Sequence, residues 1–294
     1  MLPPPLLHLP YGPGTFRMAM GLTAIPESGW IEIANDYHPQ LAERHRLLRE
    51  RPDEVVAGLP GSEPAQQELL ALLARHLARH HPDWFAVTGD RLDNRLTGES
   101  WSLAADPLPL IGRLVQEDFC LLRLDEAGPR LVAAVLCFPS GWRLAEKLGH
   151  PLGPIHAPVP FYAEALQRPV DRFLAMLKPG RIALRLNWSI MDDPTLFRAS
   201  AHGRTDHAAT VTPANAGTAL VLRVERQTFL RLPETGAIAF GIRLHITPLA
   251  EVVGQPGEAA RLREAVLALP PEMQRYKSLL PFRAALLDYL GALA

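Results

Sequence analysis

Short segments in which apolar and polar residues alternate dominate the middle of the chain. DFCLLRLD (118–125) and RLVAAVLCFPS (130–140) flank the turn sequence EAGP, and this arrangement predicts a β-hairpin. TALVLRVERQTF (218–229) and AIAFGIRLHIT (237–247) flank LPETG and predict a second hairpin. RIALRLNWSI (181–190) predicts one further strand.

Helical spacing precedes and follows these strands. EPAQQELLALLARHLARHHP (63–82) carries leucines at helical intervals and ends at a proline, which predicts a surface helix. His76, Arg79, His80 and His81 suit its C-terminus, and we expect a solvated last turn there. A metal site is the alternative, but no carboxylate or cysteine stands at ligand spacing to complete it. The last three apolar segments, GEAARLREAVLALP, PEMQRYKSLL and PFRAALLDYLGALA, predict a helical C-terminal tail.

Antiparallel strands that are close in sequence, with helices around them, predict an α+β fold. A doubly wound parallel sheet fits this order less well, because parallel strands need a crossover between them. Residues 1–62 are rich in proline and glycine, and we expect them to form an N-terminal arm on the main body. Residues 63–294 are then predicted to form a single domain.

Composition restricts the partners. The formal net charge of −1 argues against a general nucleic-acid or anionic-membrane surface. Cys120 and Cys137 both lie in apolar runs, so we expect buried thiols in a reducing compartment. No segment reaches the ~18 apolar residues of a membrane span, and the N-terminus lacks the pattern of a signal peptide. These features predict a cytoplasmic protein.

The common motifs of several chemistries are missing from the sequence. It contains no G-x-G-x-x-G after a strand and no phosphate-binding loop, so we expect no NADPH or flavin site in this chain. Two isolated cysteines do not suit an iron–sulfur cluster, which usually takes four. H-E-x-x-H and G-x-S-x-G are also absent, which argues against a zinc hydrolase or a serine hydrolase of those types.

Alternation within the second hairpin places polar residues together. Arg223 and Glu225 lie on one face of the first strand, and Gly241, Arg243 and His245 lie on one face of the second. Glycine in a strand marks close approach by a ligand or another backbone, so a flat cofactor could lie over Gly241. The pattern by itself favours a simpler interpretation, a solvated sheet face with an Arg–Glu pair.

A proline-rich loop, PSGWRLAEKLGHPLGPIHAPVP (139–160), holds His156 between Pro154 and Pro158. Proline fixes its own φ and restricts the residue before it, so this loop loses little further freedom when it presents a side chain. His156 is therefore a candidate ligand or catalytic group.

Three long blocks resemble the haem-dependent oxidative N-demethylase family: CFPSGWRLAEKLGHPLGPIHAPVP (137–160), RLNWSIMDDPTLFR (185–198) and LRVERQTFLRLPETGAIAFGIR (222–243). The opening GTFRMAMGL and WIEIANDY and the helical remainder are also similar, so the resemblance covers nearly the whole chain. It implies a PAS-like haem-binding fold that oxidises a small secondary amine such as dimethylamine, with dioxygen, to a primary amine and formaldehyde. It also implies b-type haem, and electrons delivered from NADPH by partner subunits with flavin and iron–sulfur centres.

The resemblance makes His156 the candidate axial ligand of the haem iron, with His150 and His245 as open alternatives. It makes Glu225 and Arg223 the candidate catalytic pair, because a carboxylate favours a cationic amine and a guanidinium favours developing negative charge.

Lys147, Arg226 and Gly241 lie in the same blocks and are expected to contact the cofactor. The loop ASAHGRTDHAATVTPANA (199–216) matches no block, and we expect it to shape the amine pocket. A haem sensor or carrier would use the same sheet and His156 without turnover. A purely structural interaction protein would hold no cofactor at all.

Overall fold

A computed structural model of the chain describes residues 2–12, 14–126, 128–199, 203, 208 and 210–294. Within these residues the chain forms one seven-stranded sheet and one three-stranded sheet. The strands are β1 (Thr23–Ile25), β2 (Val56–Gly58), β3 (Phe85–Thr88), β4 (Arg91–Asn94), β5 (Glu99–Ser102), β6 (Asp118–Asp125), β7 (Gly128–Val135), β8 (Ile182–Met191), β9 (Val221–Arg231) and β10 (Ile238–Pro248).

Helices surround the large sheet. The described α-helices are α1 (Tyr37–Glu50), α2 (Pro52–Val55), α3 (Glu63–His80), α4 (Pro107–Leu114), α5 (Leu144–Lys147), α6 (Leu152–Ile155), α7 (Gln167–Met176), α8 (Ala216–Ala219), α9 (Leu249–Val253), α10 (Glu258–Ala268), α11 (Pro271–Tyr276) and α12 (Arg283–Leu293). A 3₁₀ turn spans Glu27–Gly29, and a π turn spans Tyr162–Leu166. The predicted α+β fold is confirmed.

The large sheet has the order β1-β8-β9-β10-β6-β7-β2, and its neighbouring strands are antiparallel. Both predicted hairpins are present: β6 pairs with β7, and β9 pairs with β10 along the full length of both strands. The β9–β10 hairpin lies at the centre of the sheet, between β8 and β6, and most of its side chains are buried. Because of this central position, the polar side chains of the hairpin project from one face or the other of the middle of the sheet.

The described part of residues 1–62, here called the N-terminal segment, packs closely on this sheet. β1 adds one edge to it by pairing with β8, and β2 adds the other edge by pairing with β7. Trp30, Ile31 and Tyr37 are buried in the same hydrophobic cluster as Phe119 and residues of α3 and α4. The segment therefore covers one face of the sheet, although it begins with few regular elements.

α3 forms where the sequence predicts a helix, in the segment 63–82. Its leucines at helical spacing are buried, and the helix ends at His80, just before Pro82. The predicted solvated last turn is wrong for His76, whose side chain is only 3 % exposed. The sequence pattern missed this because the covering residues come from the N-terminal segment.

The C-terminal tail forms the predicted helical pieces, α10, α11 and α12, which bury one side against α8, α9 and the start of β9. None of the helices in the described ranges has both the length and the apolar composition that crossing a membrane requires. Much of the loop 199–216, which was predicted to shape the amine pocket, lies outside the described residues.

Candidate functional site

Polar side chains of β8 and β9 meet on one face of the sheet. The strand register pairs Asn187 with Glu225 and Arg185 with Gln227, and alternation puts Arg223 on the same side. We call this side, defined by Arg185, Asn187, Arg223, Glu225 and Gln227, the polar face. The sheet therefore carries a carboxylate, two amides and two guanidinium groups side by side.

Glu225 is held by its neighbours as a carboxylate. The amide of Gln227 donates to Glu225 Oε2 at 2.8 Å, and that of Asn187 donates to the same oxygen at 3.3 Å. Burial alone would raise the pKa of Glu225, but a hydrogen bond from Ser140, the charge of Arg223 and the two amides together lower it. The side chain is therefore ionised at neutral pH.

Arg185 connects to the same network, since its guanidinium donates to Gln227 Oε1 at 2.7 Å. The Gln227 amide thus accepts from Arg185 and donates to Glu225, which fixes its orientation. Burial lowers the pKa of Arg185, while the charge of Glu225 opposes that shift. Arg185 and Glu225 are therefore coupled through one amide.

The residues at the end of α11 lie against β8, near the polar face. Lys277 donates to the carbonyl oxygen of Trp188, and its ammonium lies 5.2 Å from the centre of the Trp188 ring. Burial and the nearby charge of Arg185 lower the pKa of Lys277 to about 8. Burial and Glu225 raise the pKa of Tyr276 to about 12. The C-terminal tail thus supplies two titratable groups beside Glu225.

His156 reaches the polar face from the proline-rich loop. It follows α6, whose Leu152 and Ile155 belong to the hydrophobic cluster that includes Phe229 and Phe240. Phe229 follows Gln227 on the same side of β9, so α6 packs on the polar side of the sheet. The His156 ring also stacks on Tyr162, with centroids 4.4 Å apart.

The His156 ring is fixed in one tautomer. Its Nδ1 lies 2.9 Å from the carbonyl oxygen of Leu152, which can only accept, so Nδ1 carries the proton and Nε2 carries a lone pair. Burial lowers the pKa of His156, and the Leu152 carbonyl only partly opposes this. Arg185 and Lys147 lower the pKa further by charge. Within the described ranges Nε2 has no hydrogen-bond partner, so a neutral imidazole with a free lone pair results.

Lys147 supports this segment. Its ammonium donates to the carbonyl oxygen of Ile155 at 2.8 Å and so holds the end of α6 next to His156. The structure therefore brings four of the predicted site residues, His156, Lys147, Arg223 and Glu225, to the same side of the sheet.

Arg223 lies on the polar face but uses its guanidinium internally. Its nitrogens donate to Ser140 Oγ at 3.1 Å and to the carbonyl oxygens of Phe138, Pro139, Thr195 and Leu196. Burial lowers the pKa of Arg223 to about 10, and the charge of Glu225 opposes the shift. In this structure Arg223 ties two loops to the sheet, and one of them carries the Ser140 that bonds Glu225.

Arg226, Gly241 and His245 lie on the opposite face. Arg226 Nε is 2.8 Å from Glu32 Oε1, and its other nitrogens donate to the carbonyl oxygens of Gly29 and Trp30. His245 Nε2 lies 3.0 Å from Glu32 Oε2. The structure does not bring these residues to His156, because the sheet separates them.

The predicted open space over Gly241 is filled. A Cβ atom at this position would lie 2.7 Å from Thr228 Oγ1 and 3.0 Å from the Phe119 ring. Gly241 therefore serves close packing of protein groups, which is the other meaning of glycine in a strand. His150 differs again: its side chain is exposed, in the link between α5 and α6.

Glu32 is the central acid of the opposite face, and its environment predicts that the free energy of unfolding depends on pH. Burial would raise its pKa, but the hydrogen bond with His245, the neighbouring His8 at 3.6 Å and the charge of Arg226 together lower it far below the ordinary range. Its backbone N–H also donates to Glu117. A depressed carboxyl pKa contributes stability above the unfolded pKa of about 4.3, and this contribution is lost as the pH falls further.

Replacing Glu32 by Gln should therefore lower the free energy of unfolding most above about pH 5, and the difference from wild type should shrink towards pH 3. Urea unfolding at several pH values measures this difference. Glu63→Gln, an exposed acid at the start of α3, should show no such trend. A Glu32→Gln deficit that is constant from pH 7 to pH 3 would contradict this linkage.

Several members of the polar face were not predicted. Arg185 and Asn187 alternate with Leu184, Leu186 and Trp188 in the same way that the polar residues of β9 alternate with apolar ones. Extending that alternation analysis to β8 would have found them. Tyr276 and Lys277 carry no such signal, because only the folding of the C-terminal tail brings them to β8.

These features are those of an α+β protein that presents a neutral histidine, an ionised carboxylate and aromatic rings on one side of a central sheet. A family model described as haem-dependent oxidative N-demethylase, alpha subunit-like, matches residues 21–287. The chain belongs to this family. The predicted family is thus confirmed, and its description implies haem dependence and, because it names an alpha subunit, partner subunits.

Proposed function

We propose that the polar face would hold haem b in a PAS-like arrangement, with Nε2 of His156 as the protein ligand of the iron. The chain then oxidatively N-demethylates a small secondary amine such as dimethylamine to a primary amine and formaldehyde. One observation carries the proposal: among the residues that the structure describes, Nε2 of His156 has no partner and lies on the same side of the sheet as the ionised Glu225.

The residues present suit haem. A haem-ligating histidine commonly donates its other ring nitrogen to a carbonyl, as His156 does to Leu152. Phe229 and Phe240, stacked with centroids 4.8 Å apart, offer apolar contact for a porphyrin. Lys147 and Arg185 offer positive charge for propionates. Arg226 and Gly241 are not part of this proposal.

Glu225 would bind the amine. A small alkylamine is a cation at neutral pH, and an ionised carboxylate in a largely buried site attracts it more strongly than one in water. Asn187 and Gln227 hold the carboxylate in place, so little reorganisation is needed when the amine arrives. Bound haem supplies the activation of dioxygen when it receives electrons.

Arg223 would act on the site indirectly, through Ser140. Its contacts hold Ser140, which in turn bonds Glu225, so we assign it a positioning role for the carboxylate. The resemblance implies a catalytic role for Arg223, and we propose the positioning role because its guanidinium is hydrogen-bonded within the protein.

Electrons would come from partner subunits. The sequence carries none of the common nucleotide or cluster motifs, and the alpha-subunit description implies an assembly. We therefore propose reductase subunits with flavin and iron–sulfur centres that draw on NADPH, acting with this chain in the cytoplasm.

Replacing Glu225 by Gln tests the amine site. The change keeps the shape but removes the charge, so dimethylamine should bind about 10-fold more weakly or worse, a loss of about 1.4 kcal/mol. The affinity is measured from the shift of the Soret band during titration of the haem-loaded protein. Formaldehyde production with the reductase subunits should fall by a similar factor.

Glu234→Gln is the matched control, because that acid is exposed on the turn between β9 and β10. It should bind the amine as wild type does. Haem content should be equal in all three proteins. An unchanged amine affinity in Glu225→Gln would mean that the acid has only a structural role, and haem binding without any amine response would favour a sensor or carrier.

A further inference from the structure

A second group of ligand-type side chains lies where the N-terminal segment crosses the end of α3. It consists of Glu27, His76 and His80, and one potential ligand atom of each lies within 4.8 Å of the other two. Helical spacing puts the two histidines on one side of α3, with ring centroids 4.7 Å apart. The carboxylate comes from the 3₁₀ turn Glu27–Gly29.

His76 is the unusual member. Its side chain is 3 % exposed, yet within the described part of the chain neither Nδ1 nor Nε2 has a hydrogen-bond partner. The buried Nε2 of His80 also lacks a hydrogen-bond partner there, and its contact with Glu27 Oε1 is long, at 3.5 Å. Buried polar atoms of folded proteins usually have partners, so ring nitrogens that lie close together without one are available to a bound ion or to water.

A cavity of about 360 Å³ adjoins the cluster. Its wall includes Glu27, His76, Leu72, Arg75, Arg231 and Pro233. The site therefore has room for a water molecule or another small ligand beside the three side chains.

We propose that Glu27, His76 and His80 bind a divalent transition-metal ion, for which Zn²⁺ fits the donor set best. Two imidazole nitrogens and one carboxylate oxygen form a known set of three protein ligands for zinc, with a fourth position left for water or an external ligand. The fourth position would face the cavity. Bound metal would also tie the N-terminal segment to α3.

Arg79 is the one described cation paired with the carboxylate of this cluster, at 3.5 Å from Glu27 Oε2. Its side chain is 70 % exposed, so it can turn into solvent when the metal binds. Exposed pairs of this kind contribute little free energy, and the arginine therefore offers little resistance.

The chain contains another triad of this composition, His8, Glu32 and His245, but it does not suit a metal. The buried guanidinium of Arg226 lies 2.8 Å from Glu32 Oε1 and already neutralises that carboxylate. Displacing it would leave a buried positive charge without its partner, at a high cost in free energy. The triad of Glu27, His76 and His80 is therefore the proposed metal site, and the triad of His8, Glu32 and His245 serves as the comparison that should not bind metal.

Isothermal titration with ZnCl₂ tests the proposal on haem-loaded protein that has first been treated with a chelator. We expect one saturable site per chain. Glu27→Gln and His80→Gln should each weaken Zn²⁺ binding by about 10-fold or more, while His38→Gln, an exposed histidine on α1, should not change it. X-ray absorption at the zinc edge should show nitrogen and oxygen ligands at about 2.0–2.1 Å.

Glu27 is exposed and His80 is only partly buried, so both variants should keep the far-ultraviolet circular dichroism and Soret spectra of wild type. Absence of saturable binding in wild type would overturn the proposal. Equal affinity in wild type, Glu27→Gln and His80→Gln would also overturn it, as would binding that is lost in His245→Gln but retained in His80→Gln.

Discussion

Replacing His156 by alanine should lower haem affinity by more than about 10-fold, since even outer-shell partners of metal ligands contribute about 10–100-fold. The variant loses the only nitrogen that the described polar face offers with a free lone pair on a neutral ring. The fold should persist, because the side chain lies in a loop beside the sheet and is only partly buried. Haem titration followed at the Soret band measures the affinity, and circular dichroism checks the fold.

Two other histidines provide controls. His150→Ala and His245→Gln should retain haem, because the first residue is exposed and the second lies on the opposite face beside Glu32. Added imidazole should restore a Soret band to His156→Ala by replacing the lost ring. Unchanged haem affinity in His156→Ala, or loss of haem in His150→Ala, would show that a residue other than His156 binds the iron.

Replacing Asp118 by Asn should lower the free energy of unfolding by about 3–5 kcal/mol, as expected when one partner of a buried ion pair is removed. Asp118 Oδ1 lies 2.6 Å from Arg44 Nη1, and both side chains are almost fully buried. The carboxylate also accepts the backbone N–H groups of Cys137 and Phe138, at 2.7 and 2.8 Å. The substitution therefore leaves a buried guanidinium without its counter-charge. Urea unfolding measures the loss.

Asp125→Asn is the matched control, because Asp118 and Asp125 begin and end the same strand, β6. Asp125 pairs with Arg130 at 2.8 Å, but both side chains are partly exposed, so its loss should cost no more than about 1 kcal/mol. Equal destabilisation by the two substitutions would show that the buried pair has no special weight in this fold.

The strands and long helices could be predicted from the sequence because their signals are local. β6 and β7, and likewise β9 and β10, are joined by short turns, so the hairpins needed no distant partner. α3 could be predicted from the helical spacing of its leucines and from the proline that follows its last turn. β1 and β2 were missed, because three-residue edge strands carry too little pattern of their own.

The site was only partly predictable, because alternation sorts residues into two faces without telling what covers each face. Glu225 and Gly241 looked equally available from the sequence. The structure fills the Gly241 side with Phe119, Thr228 and the N-terminal segment, and it leaves Glu225 beside the histidine loop. The proximity of Glu27 to His76 depends in the same way on two segments that are far apart in the sequence.

The position of the iron can be measured in an anomalous difference map at the iron edge, from crystals of the haem-loaded protein. We expect one strong peak per chain within bonding distance of Nε2 of His156, on the side of the sheet that carries Glu225. A peak beside His245 on the opposite face, a peak beside His150, or no peak in crystals of haem-loaded protein would contradict it.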